Sequence, residues 1–276
     1  MSNFICPVCG EGLAVTAKSL VCKNNHHYDT AKSGYTNLLL SQSVKAKHHG
    51  DDRLMVRARQ SFLNKGFYEP LLTLICNTVK PYCFTGVRIL DAGCGECWYT
   101  ANIYEYLVGQ KVMPEMLGVD ISKDALAAGA KRTKQIKLAA ASVYRLPVAN
   151  KSCDMVLSLF APVSAQEFSR VLRPGGILIR AIPLEKHLWS LKAAVYDRPY
   201  KNEADSGEAE GFEIVERREI RQRIHLTCNE DIINLFTMTP YYYKTSAEDQ
   251  IKLKNMDELD TETAFGLLTY QRVNKQ

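Results

Sequence analysis

The apolar positions fall into two patterns that change at about residue 87. From Val87 onward, short apolar runs alternate with amphipathic stretches: strands are predicted at 87–91, 116–120, 136–140, 154–160 and 176–182, with helices at 97–108, 122–131 and 164–172. Strands separated by crossover helices imply an α/β domain with a parallel, doubly wound sheet, whose ligand sits beyond the carboxyl ends of the strands. Past that unit the pattern predicts a helix at 186–195, a polar loop at 197–210, strands at 212–218 and 220–227, helices at 230–238 and 246–256, and a last strand at 264–272. Before it, a helix starts with Asp51 or Asp52 as N-cap, turns Leu54, Ala58, Phe62 and Leu63 inward and stops at Lys65-Gly66. A second helix has Pro70 in its first turn and Leu71, Leu72, Ile75 and Val79 inward, and ends before Pro81. Residues 31–50 lack a clean period and read as a connector.

The first 30 residues hold too few apolar side chains to fold by burial alone, and their chemistry supplies another means. Cys6-Pro-Val-Cys9 is followed after twelve residues by Cys22-Lys-Asn-Asn-His26, three thiolates and an imidazole in two paired clusters. Tetrahedral zinc takes four such S and N ligands, and two knuckles on the arms of a short hairpin deliver them as a closed, structural set. His27 is an adjacent alternative that spacing does not separate from His26. The nine cysteines are an odd number, and Met1–Gly10 has neither a basic nor an apolar leader region. Reduced thiols and a cytoplasmic location are the expectation. The longest uncharged stretch is 12 residues, so no membrane span is expected.

Charge is unevenly spread. Residues 1–66 carry nine Lys and Arg against four acids, whereas the remainder carries 26 of each sign. A basic N-terminal quarter on a neutral body suggests a nucleic-acid-facing module on an enzyme, with Lys45, Lys47, Arg53, Arg57 and Arg59 as phosphate contacts. An ordinary solvated surface is the alternative.

The first strand-to-helix junction reads Asp91-Ala92-Gly93-Cys94-Gly95-Glu96-Cys97-Trp98. Gly93 and Gly95 let backbone approach a nucleoside, but Trp98 stands where a dinucleotide fingerprint needs its third glycine, which disfavours NAD. The junction resembles the acid-x-Gly-x-Gly loop of class I S-adenosylmethionine methyltransferases, with Cys97 at the usual third glycine. Asp120, 29 residues after Asp91, ends a strand where a carboxylate can accept from both ribose hydroxyls. Ser142 with Arg145-Leu146-Pro147 falls where such enzymes frame the adenine, and Leu172-Arg173-Pro174-Gly175-Gly176 matches the turn before their fifth strand. After the fourth strand, Phe160 is a candidate to stack on an extruded base, with packing beneath the cofactor as the alternative. The segment lacks the N/D-P-P-Y of amino-group methylases. The CxxC formed by Cys94 and Cys97 lies inside the glycine loop, which argues against a redox role.

Over most of its length the chain resembles the bacterial 23S rRNA guanine-N1-methyltransferases of the RlmA type. The matching stretches are CPVCG, VCKNNHHYD, AKSGYTNLL, RARQSFLNKGFYEPL, ILDAGCGECWYT, LGVDIS, FAPV, LRPGGILI, EKHLWSLK and LFTMTPY. The resemblance implies one structural zinc on Cys6, Cys9, Cys22 and His26, S-adenosylmethionine held by Tyr68, Gly95, Glu96 and His187, with Asp91, Gly93 and Asp120 in their usual fold roles. On the residues alone, Tyr68 reads as a core-edge aromatic and His187 as an exposed helix-start residue. The resemblance also implies methyl transfer to N1 of a guanine in a hairpin of 23S rRNA, with macrolide relevance in some members, and a homodimer. No carboxylate in the sequence declares itself as the base for N1. The expected organisation is a zinc-binding domain at 1–35, basic connector and helices at 36–82, and a class I methyltransferase domain at 83–276. The alternatives are a methyltransferase of small molecules and a nonenzymatic zinc-ribbon adaptor.

Overall fold

The computed structural model describes residues 3–40 and 50–273. Lys45, Lys47 and the two histidines beside them lie outside the described residues. The N-terminal segment forms a three-stranded antiparallel sheet of β1 (Leu13–Val15), β2 (Ser19–Cys22) and β3 (His27–Asp29). A two-residue strand, β4 (Thr36–Asn37), follows within the stretch read as connector, and two residues have no period to betray them.

Helix α1 (Arg53–Asn64) is capped by Asp52, whose side chain accepts from the backbone N–H groups of Leu54 and Met55. It buries Met55, Val56, Ala58, Phe62 and Leu63 and leaves Leu54 exposed, a rotation of the stripe from the one predicted. Helix α2 (Glu69–Val79) carries Pro70 in its first turn and buries Leu71, Ile75 and Val79. The chain then runs β5 (Arg88–Ala92), α3 (Trp98–Gly109), β6 (Glu115–Asp120), α4 (Lys123–Arg132), β7 (Lys137–Ala140), β8 (Cys153–Leu159), α5 (Ala165–Val171) and β9 (Leu172–Pro183). It ends with α6 (Trp189–Val195), β10 (Phe212–Leu226), α7 (Asn229–Thr237), α8 (Ala247–Lys254) and β11 (Leu259–Arg272).

The eight-stranded sheet has the order β10-β11-β9-β8-β5-β6-β7-β4, parallel from β4 to β9 and antiparallel where β11 joins β9 and β10. This is the Rossmann-like mixed sheet of class I methyltransferases. Two corrections follow. The strands predicted at 212–218 and 220–227 are one strand, because Glu219 continues the in-out alternation and the irregularity at Val215 is absorbed as a bulge without a turn. The fifth parallel strand begins at Leu172, before its Pro-Gly-Gly, where Cys153 already pairs with Leu172.

Side chains alternate across the sheet, so Ile89, Met116 and Leu138 enter one core while Leu90, Leu117 and Ala139 enter the other. The first core is covered by α1 to α4 and α6 to α8. The second is covered by Phe168 and Val171 of α5 together with Phe4, Leu13, Leu20 and Leu38 from the N-terminal segment.

Candidate active site and zinc centre

In the N-terminal module, Cys6 and Cys9 lie on a turn before β1, Cys22 ends β2, and His26 sits just before β3. Gly10 closes the first turn at φ +75°, its N–H donating to the Cys6 carbonyl, and Asn25 closes the second at φ +60°. The four ligand atoms lie within 4.8 Å of one another. His26 Nδ1 is 3.4 Å from Cys6 Sγ and 3.3 Å from Cys22 Sγ, and Cys9 Sγ is 3.7 Å from Cys22 Sγ. A tetrahedron with metal–sulfur arms of ~2.3 Å has edges of roughly 3.8 Å, so the cluster is the size of one zinc ion's shell. The geometry resolves the choice that spacing left open: His26 faces the thiols, whereas His27 is exposed and bonds Asn25. The Tyr28 hydroxyl lies 3.0 Å from Cys6 Sγ, a donor suited to a thiolate.

A cavity of about 700 Å³ opens at the carboxyl ends of β5, β6, β8 and β9. It is lined by every residue expected to hold the cofactor: Tyr68, Asp91, Gly93, Gly95, Glu96, Asp120 and His187. Parallel pairing sets the frame, since Asp91 lies opposite Gly118 and Leu157, one strand end beside another.

Asp91 is buried, and the Thr100 hydroxyl donates to its Oδ2 at 2.7 Å. Its Oδ1 has no partner although it is buried. Burial is the main cause that raises its pKa to about 7, with the Asp120 charge adding to it and the Thr100 bond opposing. Such an orphaned carboxylate oxygen at a cavity wall fits the ammonium of a methionine moiety. Asp120 Oδ2 accepts from the Gly95 N–H and Oδ1 from the Ser122 N–H, both at 2.8 Å. Each oxygen keeps a further acceptor position for a ribose hydroxyl.

The glycine loop is tight. Gly93 adopts φ +96°, and a Cβ there would overlap the Cβ of Ala161. Cys97, at the usual third glycine, adopts φ +64°, the left-handed region that explains why glycine is usual and that costs a cysteine roughly 1–2 kcal/mol. Glu96 is buried, its Oε2 held by Arg132 at 2.6 Å and its Oε1 without a partner.

Tyr68 and His187 are both buried and pack edge-on, each also against Phe265. Neither is the peripheral residue that its sequence position suggests, because α6 starts at Trp189 and His187 precedes it under the β11 strand. The Ala264 N–H donates to His187 Nδ1, so the neutral ring carries its proton on Nε2. Burial, reinforced by the Lys192 charge, lowers its pKa to about 3 and keeps it a neutral donor.

Phe160 sits at φ +60° just past β8, 42% exposed, against Phe265 and Tyr99. A left-handed phenylalanine is a strained position that surrounding contacts must hold, here including its N–H bonded to the Ala181 carbonyl. Sequence reasoning missed other lining residues: Asp51, Arg59, Arg180, Asp205 and the Met238-Thr239-Pro240-Tyr241 segment. The sequence places Arg59 among the outward phosphate contacts. Arg59 instead bonds Asp51 and the Met238 carbonyl above Gly95, since it lies at the edge of the buried stripe of α1. Arg53 and Arg57 are exposed as expected.

The fold, the donor set and the cavity define a class I S-adenosylmethionine methyltransferase carrying an N-terminal zinc ribbon. The family model for the N-terminal region of RlmA, a zinc ribbon, matches residues 4–48, and that for a methyltransferase domain matches residues 89–176. The putative 23S rRNA (guanine-N(1)-)-methyltransferase YxjB of Bacillus subtilis (strain 168) is 30% identical over 268 residues, covering 94% of this chain and 93% of that protein. The 23S rRNA (guanine(748)-N(1))-methyltransferase of Streptomyces fradiae is 33% identical over 193 residues, 69% of this chain and 66% of that protein. Among solved structures, the YcgJ protein from Bacillus subtilis shares the fold at a TM-score of 0.50 and 13% identity, over 74% of this chain and 98% of that chain. The chain belongs to the 23S rRNA (guanine-N1-)-methyltransferase family.

Proposed function

We propose that this protein transfers the methyl group of S-adenosylmethionine to N1 of a guanine in 23S rRNA. The observation that carries the acceptor is the continuity of the relationship with the Bacillus protein, named for this reaction, through zinc ribbon and methyltransferase alike. The cavity carries the donor. When bound, S-adenosylmethionine supplies an activated methyl on a sulfonium. Asp91 Oδ1 would accept from its ammonium, Asp120 from its ribose hydroxyls, and the Nε2–H of His187 would donate to its carboxylate end, with Tyr68 and Glu96 closing the wall and Gly93 and Gly95 giving the loop its close approach. Holding the methyl and the base in line supplies most of the rate, since positioning can lower a barrier by about 7–11 kcal/mol.

Cys6, Cys9, Cys22 and His26 hold one zinc that shapes the ribbon and takes no part in chemistry. Arg53 and Arg57, on the outer face of α1, contact RNA phosphates. An rRNA acceptor places the enzyme in the cytoplasm. Among the described residues no helix is long and apolar enough to cross a membrane.

The test is tritiated methyl transfer to unmodified 23S rRNA, naked and in assembled subunits, with digestion to nucleosides. Label in 1-methylguanosine is the expected result. Unlabelled RNA in both forms, with the cofactor still bound, would discard the rRNA acceptor in favour of a small molecule.

A further inference from the structure

Guanine N1 carries a proton in its neutral form, and methylation must remove it. Among the described residues five carboxylates line the cavity: Asp51, Asp91, Glu96, Asp120 and Asp205. Four of them belong to the glycine-loop side and are engaged there, Asp91 with Thr100, Glu96 with Arg132, Asp120 with backbone N–H groups, and Asp51 with Arg59. Asp205 is different in place. It comes from the polar loop between α6 and β10, and lines the cavity from the β9 side, where Arg180 holds it.

Two contacts fix its carboxylate. Arg180 Nη2 donates to Oδ2 at 2.7 Å, and the Gly207 N–H donates to Oδ1 at 2.8 Å. Arg180 is itself held: it is 7% exposed, its Nη1 donates to the Tyr270 hydroxyl at 2.9 Å, and its guanidinium lies over the Tyr270 ring. Each Asp205 oxygen thus spends one acceptor position and keeps another. The side chain is 33% exposed, and the residue lines the cavity.

A guanine presents N1–H and the N2 amino group side by side, two donors at the spacing of a carboxylate's two oxygens. Resting on the proposed rRNA reaction, we propose that Asp205 is the group that reads the target guanine, pairing with its N2 amino group and accepting the N1 proton. The N1–H bond breaks toward an Asp205 oxygen and leaves its electron pair on the base. That proton departs before the methyl arrives, because both occupy the same in-plane position on N1. The N1 pair then forms the N1–C bond as the C–S bond breaks, its electrons returning to sulfur. The products are neutral 1-methylguanine, the neutral thioether and a protonated Asp205, which gives its proton to water. Phe160 lines the same cavity and offers it a partly exposed aromatic ring.

The experiment measures methylation of a synthetic segment of 23S rRNA by wild type and Asp205→Asn, with cofactor and RNA affinities determined separately. Asp205→Asn should lower kcat by about a hundredfold or more while both dissociation constants stay within about twofold. A folded variant whose kcat falls less than threefold overturns the proposal, and so does one that loses the cofactor, since that marks Asp205 as a brace for its loop. Inosine at the target, which lacks only the N2 amino group, tests wild type without any mutation. Inosine should be methylated about ten- to a hundredfold less efficiently than guanosine. Equal use of the two overturns the pairing. Wild type that forms no 1-methylguanosine in any RNA overturns the rRNA reading itself, and the role of Asp205 with it.

Discussion

The two faces of the central sheet are covered by different means. On one, α1 to α4 and α6 to α8 bury Phe62, Leu71, Ile75, Ile103, Leu107 and Leu235 in a continuous apolar layer. On the other, α5 is the one covering helix among the described residues, and the zinc ribbon completes the cover with Phe4, Leu13, Leu20 and Leu38. Fully burying such a side chain contributes roughly 1.5–3 kcal/mol, so the ribbon's four gain about 6–12 kcal/mol. A structural zinc site contributes about 10–16 kcal/mol of apparent binding free energy at neutral pH. The helical face is therefore ordered by burial and the ribbon by its metal, and the molecule teaches that a thin layer can cover a sheet if coordination replaces apolar area.

The contrast breaks most sharply at the metal. Cys22→Ser is expected to reduce the zinc content from one ion per chain to none and to abolish amide-exchange protection across residues 4–30, with the helices of the first face still protected. His27→Ala should keep its zinc, because that ring points away from the cluster. Zinc analysis alongside exchange mass spectrometry checks both, and equal loss across both faces would sink the comparison.

Next in size is Gly93→Ala. Its Cβ would overlap Ala161 at a φ of +96°, so the loop must open, and cofactor affinity measured by calorimetry should fall by about a hundredfold or more. Protection of the ribbon should not change.

Protons offer a gentler probe. Asp91 has its pKa raised to about 7 in the free protein, and an ammonium beside it favours the charged form. Binding then releases a proton: affinity should be level above pH 7 and decline below it, by at most tenfold per pH unit. Asp91→Asn should bind weakly at every pH. A wild-type affinity independent of pH between 5.5 and 8 would remove Asp91 from the ammonium.

The smallest effect tests the seam between the faces. Ile5 N–H donates to the Pro147 carbonyl at 2.9 Å, and Arg145 Nη2 donates to the Pro7 carbonyl at 2.9 Å, so the first knuckle grips the loop whose Ser142, Val143 and Tyr144 line the cavity. Arg145→Ala should weaken cofactor binding only two- to fivefold, the scale of one exposed hydrogen bond. An unchanged affinity would uncouple the ribbon from the site.

Much of this was legible because the chain spells local rules plainly. The parallel strands announce themselves as apolar runs, and Asp91, Gly93, Gly95 and Asp120 stand at the strand ends that periodicity locates, their roles following from the resemblance to the methyltransferase loop. The four-ligand cluster follows from knuckle spacing, except for the choice between His26 and His27, which depends on the left-handed turn at Asn25. What stayed hidden arrives from far along the chain. His187 owes its burial to a bond with Ala264, Arg59 owes its inward turn to Asp51 and Met238, and Asp205 sits in a polar loop with no pattern at all until Arg180 draws it to the cavity. Long-range partners leave no periodic trace. The fused strand β10 was missed for another reason: its alternation continues through charged residues that resemble a turn.

The pairing of Thr36 and Asn37 with Ala139 and Ala140 has a consequence for how this architecture could have been assembled. The ribbon segment does not hang from the enzyme as a cassette on a tether; two residues of it finish the sheet at the β7 margin. A shortened chain beginning at α1 would lose the layer over the second core and also bare a row of unpaired backbone groups, an invitation to intermolecular association. Grafts that swap ribbons between relatives should therefore carry the chain through Asn37, so that the β7 margin stays capped and the product stays monodisperse.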